Sequence, residues 1–158
     1  MLSVQTKYFG ILPCREEEVF EFPRGLPAFE QEKRFVLIQL PENAPLIFLQ
    51  SLAQPTLCFL AFPILVADRD YKLAVTAEDL AALDLDSGHQ PELGGEVLVL
   101  ALVSLRDAFS ATANLMAPVV LNLKTRQGLQ AIRPDRLYSH QHIIQPGILD
   151  VRSPEAAC

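Results

Sequence analysis

The stretch from Thr112 to Ile132, TANLMAPVVLNLKTRQGLQAI, decides the fold class of this chain. A short polar loop (Thr112, Ala113, Asn114) opens onto the apolar run Leu115 to Leu123. The polar turn Lys124-Thr125-Arg126-Gln127-Gly128 follows, and a second short apolar strand closes the unit. Apolar segments around a glycine-bearing turn predict a β-hairpin, with one arm too apolar to face water on either side. The hairpin makes the chain β-rich, and it holds no residue set that could carry out chemistry.

Strand patterns extend outward from the hairpin in both directions. Ser3 to Phe9 alternates and is broken by Gly10, while Glu18 to Phe22 alternates and ends in Pro23-Arg24-Gly25-Leu26-Pro27, a turn. Phe35 to Leu40, Leu46 to Leu52, Leu57 to Phe62, Tyr71 to Val75 and Glu96 to Leu105 read as further strands, bounded by prolines or polar loops. One helix is expected at Ala77 to Leu83, since Thr76-x-x-Asp79 supplies a cap and Leu80 and Leu83 share a face. The fold expected is mainly β: a small closed or nearly closed β-barrel with one short helix. It should occupy residues 1–144 as a single domain, followed by a polar C-terminal tail at 145–158, frayed at its end.

Composition narrows the function classes. A chain of 158 residues, half of them hydrophobic and 20% charged, can build one core. The 12 prolines favour short elements over long helices. The net charge of −6 repels phosphate, so direct nucleic-acid binding is disfavoured and a protein partner is favoured. Cys14, Cys58 and Cys158 are odd in number and far apart, which suits a reduced, cytoplasmic chain rather than a disulfide framework. The start MLSVQTKYFG reads as strand rather than as a secretion leader. Apolar runs such as Val97 to Leu105 stop well short of the ~20 residues a membrane helix requires.

Candidate chemical groups mostly have plain structural readings. His140 and His142 share a strand face, but no Cys or carboxylate stands at ligand spacing, so no metal is expected. Glu16, Glu17 and Glu18 alternate faces on a strand and suit a charged edge that discourages sheet-to-sheet association. Cys58 lies in an apolar run and Cys14 has only Arg15 as a neighbour, so both read as structural thiols. Signatures of hydrolases, nucleotide-binding loops and zinc peptidases are absent, and neither enzymatic activity nor a cofactor is expected. In the turn at 22–30, Leu26 and Phe29 either fold under the sheet or face a partner, and burial of large apolar groups favours the former.

Several segments resemble the FliW-type flagellar assembly factors of bacteria. They are Thr6-Lys7-Tyr8-Phe9-Gly10, Phe22-Pro23-Arg24-Gly25-Leu26-Pro27-Ala28-Phe29-Glu30, Arg34-Phe35-Val36-Leu37, Leu49-Gln50-Ser51, Tyr71 to Leu85 and Thr112 to Gly128. They run in family order from Thr6 to Tyr138. The family usually has glycine where Ala28 stands and often a basic residue where Gln127 stands. Ala28 argues that its turn does not require a positive φ. The resemblance implies a non-enzymatic cytoplasmic β-barrel that binds flagellin before export. It also implies binding to the carbon storage regulator, an RNA-binding translational repressor. Flagellin would capture the factor, the regulator would be freed, and flagellin translation would fall. A monomer is expected, with Pro23, Gly25, Leu26, Phe29, Gln50, Thr112, Asn114 and Asn122 as candidate partner-binding residues. The other reading is a small barrel enzyme or ligand-binding protein with a polar pocket near Gln50, Asn114 and Asn122.

Overall fold

The central strand explains the architecture. β7, Val97–Leu105, is apolar at nearly every position because both of its faces are covered. Val97, Val99 and Ala101 join one core cluster, while Leu98, Leu100 and Leu102 join or pack against another, as the two-residue period of a strand requires. The computed structural model describes residues 1–105 and 110–144; the tail expected at 145–158 lies outside the described residues.

Among the described residues, ten further strands accompany β7. A separate hairpin pairs β1 (Leu2–Thr6) with β2 (Gly10–Cys14), so the strand expected over Ser3 to Phe9 stops at Thr6 and Gly10 starts the next one. The main sheet comprises β3 (Phe20–Glu21), β4 (Arg34–Ile38), β5 (Ile47–Ser51), β6 (Cys58–Pro63), β9 (Val119–Asn122) and β10 (Gly128–Gln130) with β7. Their order is β10-β9-β7-β6-β5-β4-β3, all antiparallel. Beyond Leu102, β7 pairs instead with β8 (Ala111–Ala113), which pairs in turn with β11 (His142–Ile143).

The ladders do not close into a barrel. Pro23 and the turn behind it cut β3 to two residues, leaving too little strand for a ladder against β10. The two ends meet only at an isolated bridge, Glu21 to Gln127, where the Glu21 N–H donates to the Arg126 carbonyl at 2.8 Å.

Two α-helices are present among the described residues rather than one. α2 (Ala77–Ala82) forms where expected, with the Thr76 hydroxyl accepting from the Asp79 N–H at 3.1 Å and Leu80 and Leu83 buried. α1 (Ile64–Ala67) is a single turn behind Pro63, too short to leave a periodic signal. Tyr71 to Val75 is not a strand. Its backbone is engaged by side chains instead, with the Val75 N–H and C=O both bonded to the Gln90 amide, at 2.8 and 3.0 Å. Glu16–Glu18 form a 3-10 turn rather than a strand edge. In the hairpin that opens the reading, Thr112 and Ala113 belong to β8, and only Val119–Asn122 of the apolar run is strand.

The core follows from these pairings. Phe20, Phe22, Phe35, Ile47, Leu49, Leu100, Val119 and Leu121 form a core on one side of the main sheet. Its other face is covered by three elements: α1, α2 and the strap formed by residues 131–144. The β1–β2 hairpin covers Val36, Ile38 and Phe48 through Val4, Phe9, Leu12 and Cys14. Burial raises the Cys14 thiol pKa, and Glu18 and Glu16 add to that effect, so this thiol is inert.

Candidate functional site

The β6–β7 ladder ends at Leu102, on the other edge of β7 from the place where β8 follows β9, and a cleft of about 400 Å³ lies beside that point. Residues 58–60 of β6, residues 102–104 of β7, Thr112, Asn114, His140 and Gln141 line it. None of these described residues is Asp, Glu, Lys or Arg, although one residue in five of the chain is. Hydroxyls, amides, the His140 imidazole, the Cys58 thiol and apolar side chains set its chemistry.

The strap that supplies His140 and Gln141 is anchored to residues 71 and 72 by one of its own side chains, a buried cation. Arg133, whose side chain is 3% exposed, donates to the Asp135 carboxylate at 2.8 and 3.0 Å, to the Tyr71 hydroxyl at 3.1 Å and to the Lys72 carbonyl at 2.6 Å. Its guanidinium lies 4.6 Å from the Tyr138 ring centroid and 5.3 Å from that of Tyr71. Burial opposes the Arg133 cation, but the bonds to Asp135 and Tyr71 outweigh it and hold the group protonated. The same contact holds the Asp135 carboxyl below its ordinary pKa. The Tyr71 hydroxyl, whose pKa is raised by burial, donates to the Leu115 carbonyl at 2.8 Å, and the Lys72 N–H donates to the Tyr138 hydroxyl at 3.1 Å.

The expected partner-binding residues fall in four places. Thr112 and Asn114 line the cleft, with the Asn114 carbonyl oxygen accepting from the Met116 and Ala117 N–H groups at 3.1 and 2.9 Å. The turn at 22–30 divides its residues between core and surface. Leu26 is 2% exposed, Gly25 is buried at φ +64°, and Pro23 is exposed with its carbonyl accepting from Lys33. Phe29 is 38% exposed and meets the half-buried Phe59 of the cleft edge-on, with centroids 5.4 Å apart.

Gln50 and Asn122 do not join them. Gln50 is buried on β5, its amide donating to the carbonyls of Ser51, Gln54 and Pro55 while its own oxygen has no partner. Asn122 lies at the opposite end of β7, paired with Val97, and spends its side chain on the Leu83 carbonyl and the turn amides of Lys124 and Thr125. The polar pocket expected from Gln50, Asn114 and Asn122 is therefore not formed by these three. Ala28 carries φ +71°, so its turn does use a positive φ, contrary to the reading of alanine there. Sequence reasoning also missed Ser104 and Arg133. Ser104, a lone hydroxyl in the apolar run of β7, was the one available signal.

A family model described as FliW protein matches residues 3–144. The chain belongs to the FliW family. It is 37% identical over 147 residues to the flagellar assembly factor FliW of Syntrophomonas wolfei, covering 92% of this chain and 90% of that protein. The Bacillus subtilis flagellar assembly factor FliW is 30% identical over 144 residues, covering 90% and 96%. A crystal structure of the flagellar assembly factor FliW superposes with a TM-score of 0.80 at 31% identity, covering 92% of this chain and 98% of that one. The family match thus spans the cleft, the turn at 22–30 and the strap.

Proposed function

We propose that this protein is a cytoplasmic, non-enzymatic assembly factor that binds flagellin before export. In the same reading it binds the carbon storage regulator, and exchange between the two ties flagellin translation to export. The observation that carries the reading is the FliW match over residues 3–144. Three features of the chain support it. The cleft is lined by groups suited to a protein segment rather than to a reaction, with no carboxylate, Lys or Arg among its described residues. The net charge of −6 suits a partner that binds RNA and must therefore be basic on that surface. No helix among the described residues is long and apolar enough to cross a membrane. The protein acts as a monomer.

Calorimetric titration of the purified chain with flagellin, and separately with the carbon storage regulator, tests this directly. Saturable binding of each at about micromolar strength or tighter is expected. Heats no larger than dilution for both partners would remove the proposal.

A further inference from the structure

The β1–β2 hairpin is bonded chiefly to itself. Its strands pair residue by residue from Leu2 with Cys14 to Thr6 with Gly10. The Thr6 hydroxyl closes the turn, accepting from the Phe9 N–H and donating to the Gly10 carbonyl, both at 2.8 Å. Neither strand joins the ladders of the main sheet. Among the described residues, one backbone hydrogen bond leaves the hairpin for the rest of the fold, from the Lys7 N–H to the Pro55 carbonyl at 2.9 Å. The remaining hold is apolar: Phe9 lies 4.9 Å from Phe48 between ring centroids, Leu12 packs beside Ile38, and Val4 and Cys14 meet Val36.

The link from the hairpin to β3 is suited to bending. Arg15, Glu16, Glu17 and Glu18 are all exposed, and the ion pair from Glu16 to Arg34 of β4 is exposed on both sides, so it contributes little in water. The hairpin also closes over an incomplete polar group. Gln50 lies directly opposite Val36 on one side and Cys58 on the other, so it shares the face that the hairpin covers. Its amide nitrogen has three carbonyls in reach, while its buried oxygen meets no donor among the described residues. A buried acceptor without a donor disfavours the closed arrangement, and opening would let water reach it. A unit held by so few hydrogen bonds opens at lower free energy than the ladders beside it. We infer that the β1–β2 hairpin is a lid, which swings off the main sheet as one unit about Arg15 to Glu18 while the sheet stays folded. The inference does not depend on the proposed function.

Cys14 reports the opening from inside the lid, since it is only 5% exposed when the lid is closed. The full chain is pulsed with iodoacetamide under native, reducing conditions, and alkylation of Cys14 is read by peptide mass spectrometry. Hydrogen exchange of the β7 and β9 amides is followed in parallel. Two variants are treated in the same way. Val4→Cys places a second thiol on the other strand of the lid, and Leu12→Cys, paired with Val4, serves if that variant fails to fold. Val120→Ala weakens a core cluster that the lid does not reach. The two lid thiols should be protected to within about threefold of each other, and at least about a hundredfold less than the β7 and β9 amides. Val120→Ala should lower the amide protection by about tenfold and leave Cys14 unchanged, because the contacts of Val120 persist when only the lid is open. Parallel loss at Cys14 and the amides would show that Cys14 is reached only by global unfolding. Unequal protection of the two lid thiols would show fraying of one strand rather than motion of the unit. Either result overturns the inference.

Discussion

The strap of residues 131–144 contains Arg133 and pairs through Ile143 with Thr112, and the polar groups at these two places are used in opposite ways. Around Arg133 the bonding capacity is spent inside the molecule, on a carboxylate, a hydroxyl, a backbone carbonyl and two aromatic rings. On the Thr112 side, Ser104 is exposed, Thr112 is half-buried and Ile143 stands largely in water. A buried charge is tolerated only where its partners are complete, whereas a face left unspent is available to another molecule. Stability should accordingly reside behind the strap, and recognition in front of it.

The comparison breaks most visibly at Arg133. Arg133→Ala leaves the Lys72 carbonyl and the Tyr71 hydroxyl short of a donor and should lower stability by about 3 to 5 kcal/mol in urea denaturation. A midpoint equal to the parent's would show that the clamp is not what holds the strap.

Gly25 tests whether the turn at 22–30 belongs with the clamp. A Cβ there would stand 2.5 Å from the Glu30 backbone, and φ is +64°. Gly25→Ala should cost about 3 kcal/mol, combining the left-handed penalty with a clash that backbone cannot easily relieve. Partner affinity measured on the folded fraction should be unchanged unless Phe29 moves with the turn.

Ala28 should move in the other direction. It holds φ +71° without the freedom of glycine, so Ala28→Gly should raise stability by about 1 kcal/mol. A thermal melt shows the sign at once, and a lowered midpoint would mean that the turn is not strained at this residue.

The smallest effect expected is a pH dependence confined to the clamp. Arg133 holds the Asp135 carboxyl below its ordinary pKa. Its contribution is therefore complete above the unfolded carboxyl value of about 3.9 and is lost as pH falls through the lower folded value. The stability gap between the parent and Asp135→Asn should narrow as pH falls below about 4, while the Gly25→Ala deficit stays constant. Parallel narrowing in both variants would place the effect elsewhere.

Much of the fold was legible because the period of two survives burial on both faces. β7 and β9 are apolar enough to be recognised as covered strands, and Thr76 with Asp79 marked α2. Closure was not legible, since it depended on how far β3 would run before Pro23. Tyr71 to Val75 misled because Tyr71, Leu73 and Val75 alternate with Lys72 and Ala74 in the same way whether a strand or the Gln90 amide satisfies the backbone. Thr112 and Asn114 were found as candidates, but Gln50 and Asn122 were drawn in by residue type, and side-chain polarity alone does not say which carbonyl it will meet. The Arg133 clamp joins residues 61 and 62 positions apart, a distance over which no local pattern reports.

The central claim is partner exchange, and displacement measures it most directly. The complex of this protein with labelled carbon storage regulator is formed first, and flagellin is titrated in while the anisotropy of the label is followed. The account predicts that anisotropy falls to the value of the free regulator as flagellin saturates, with release of the regulator confirmed by size-exclusion chromatography. Flagellin joining the complex with the regulator still bound, so that anisotropy rises or holds, would contradict it.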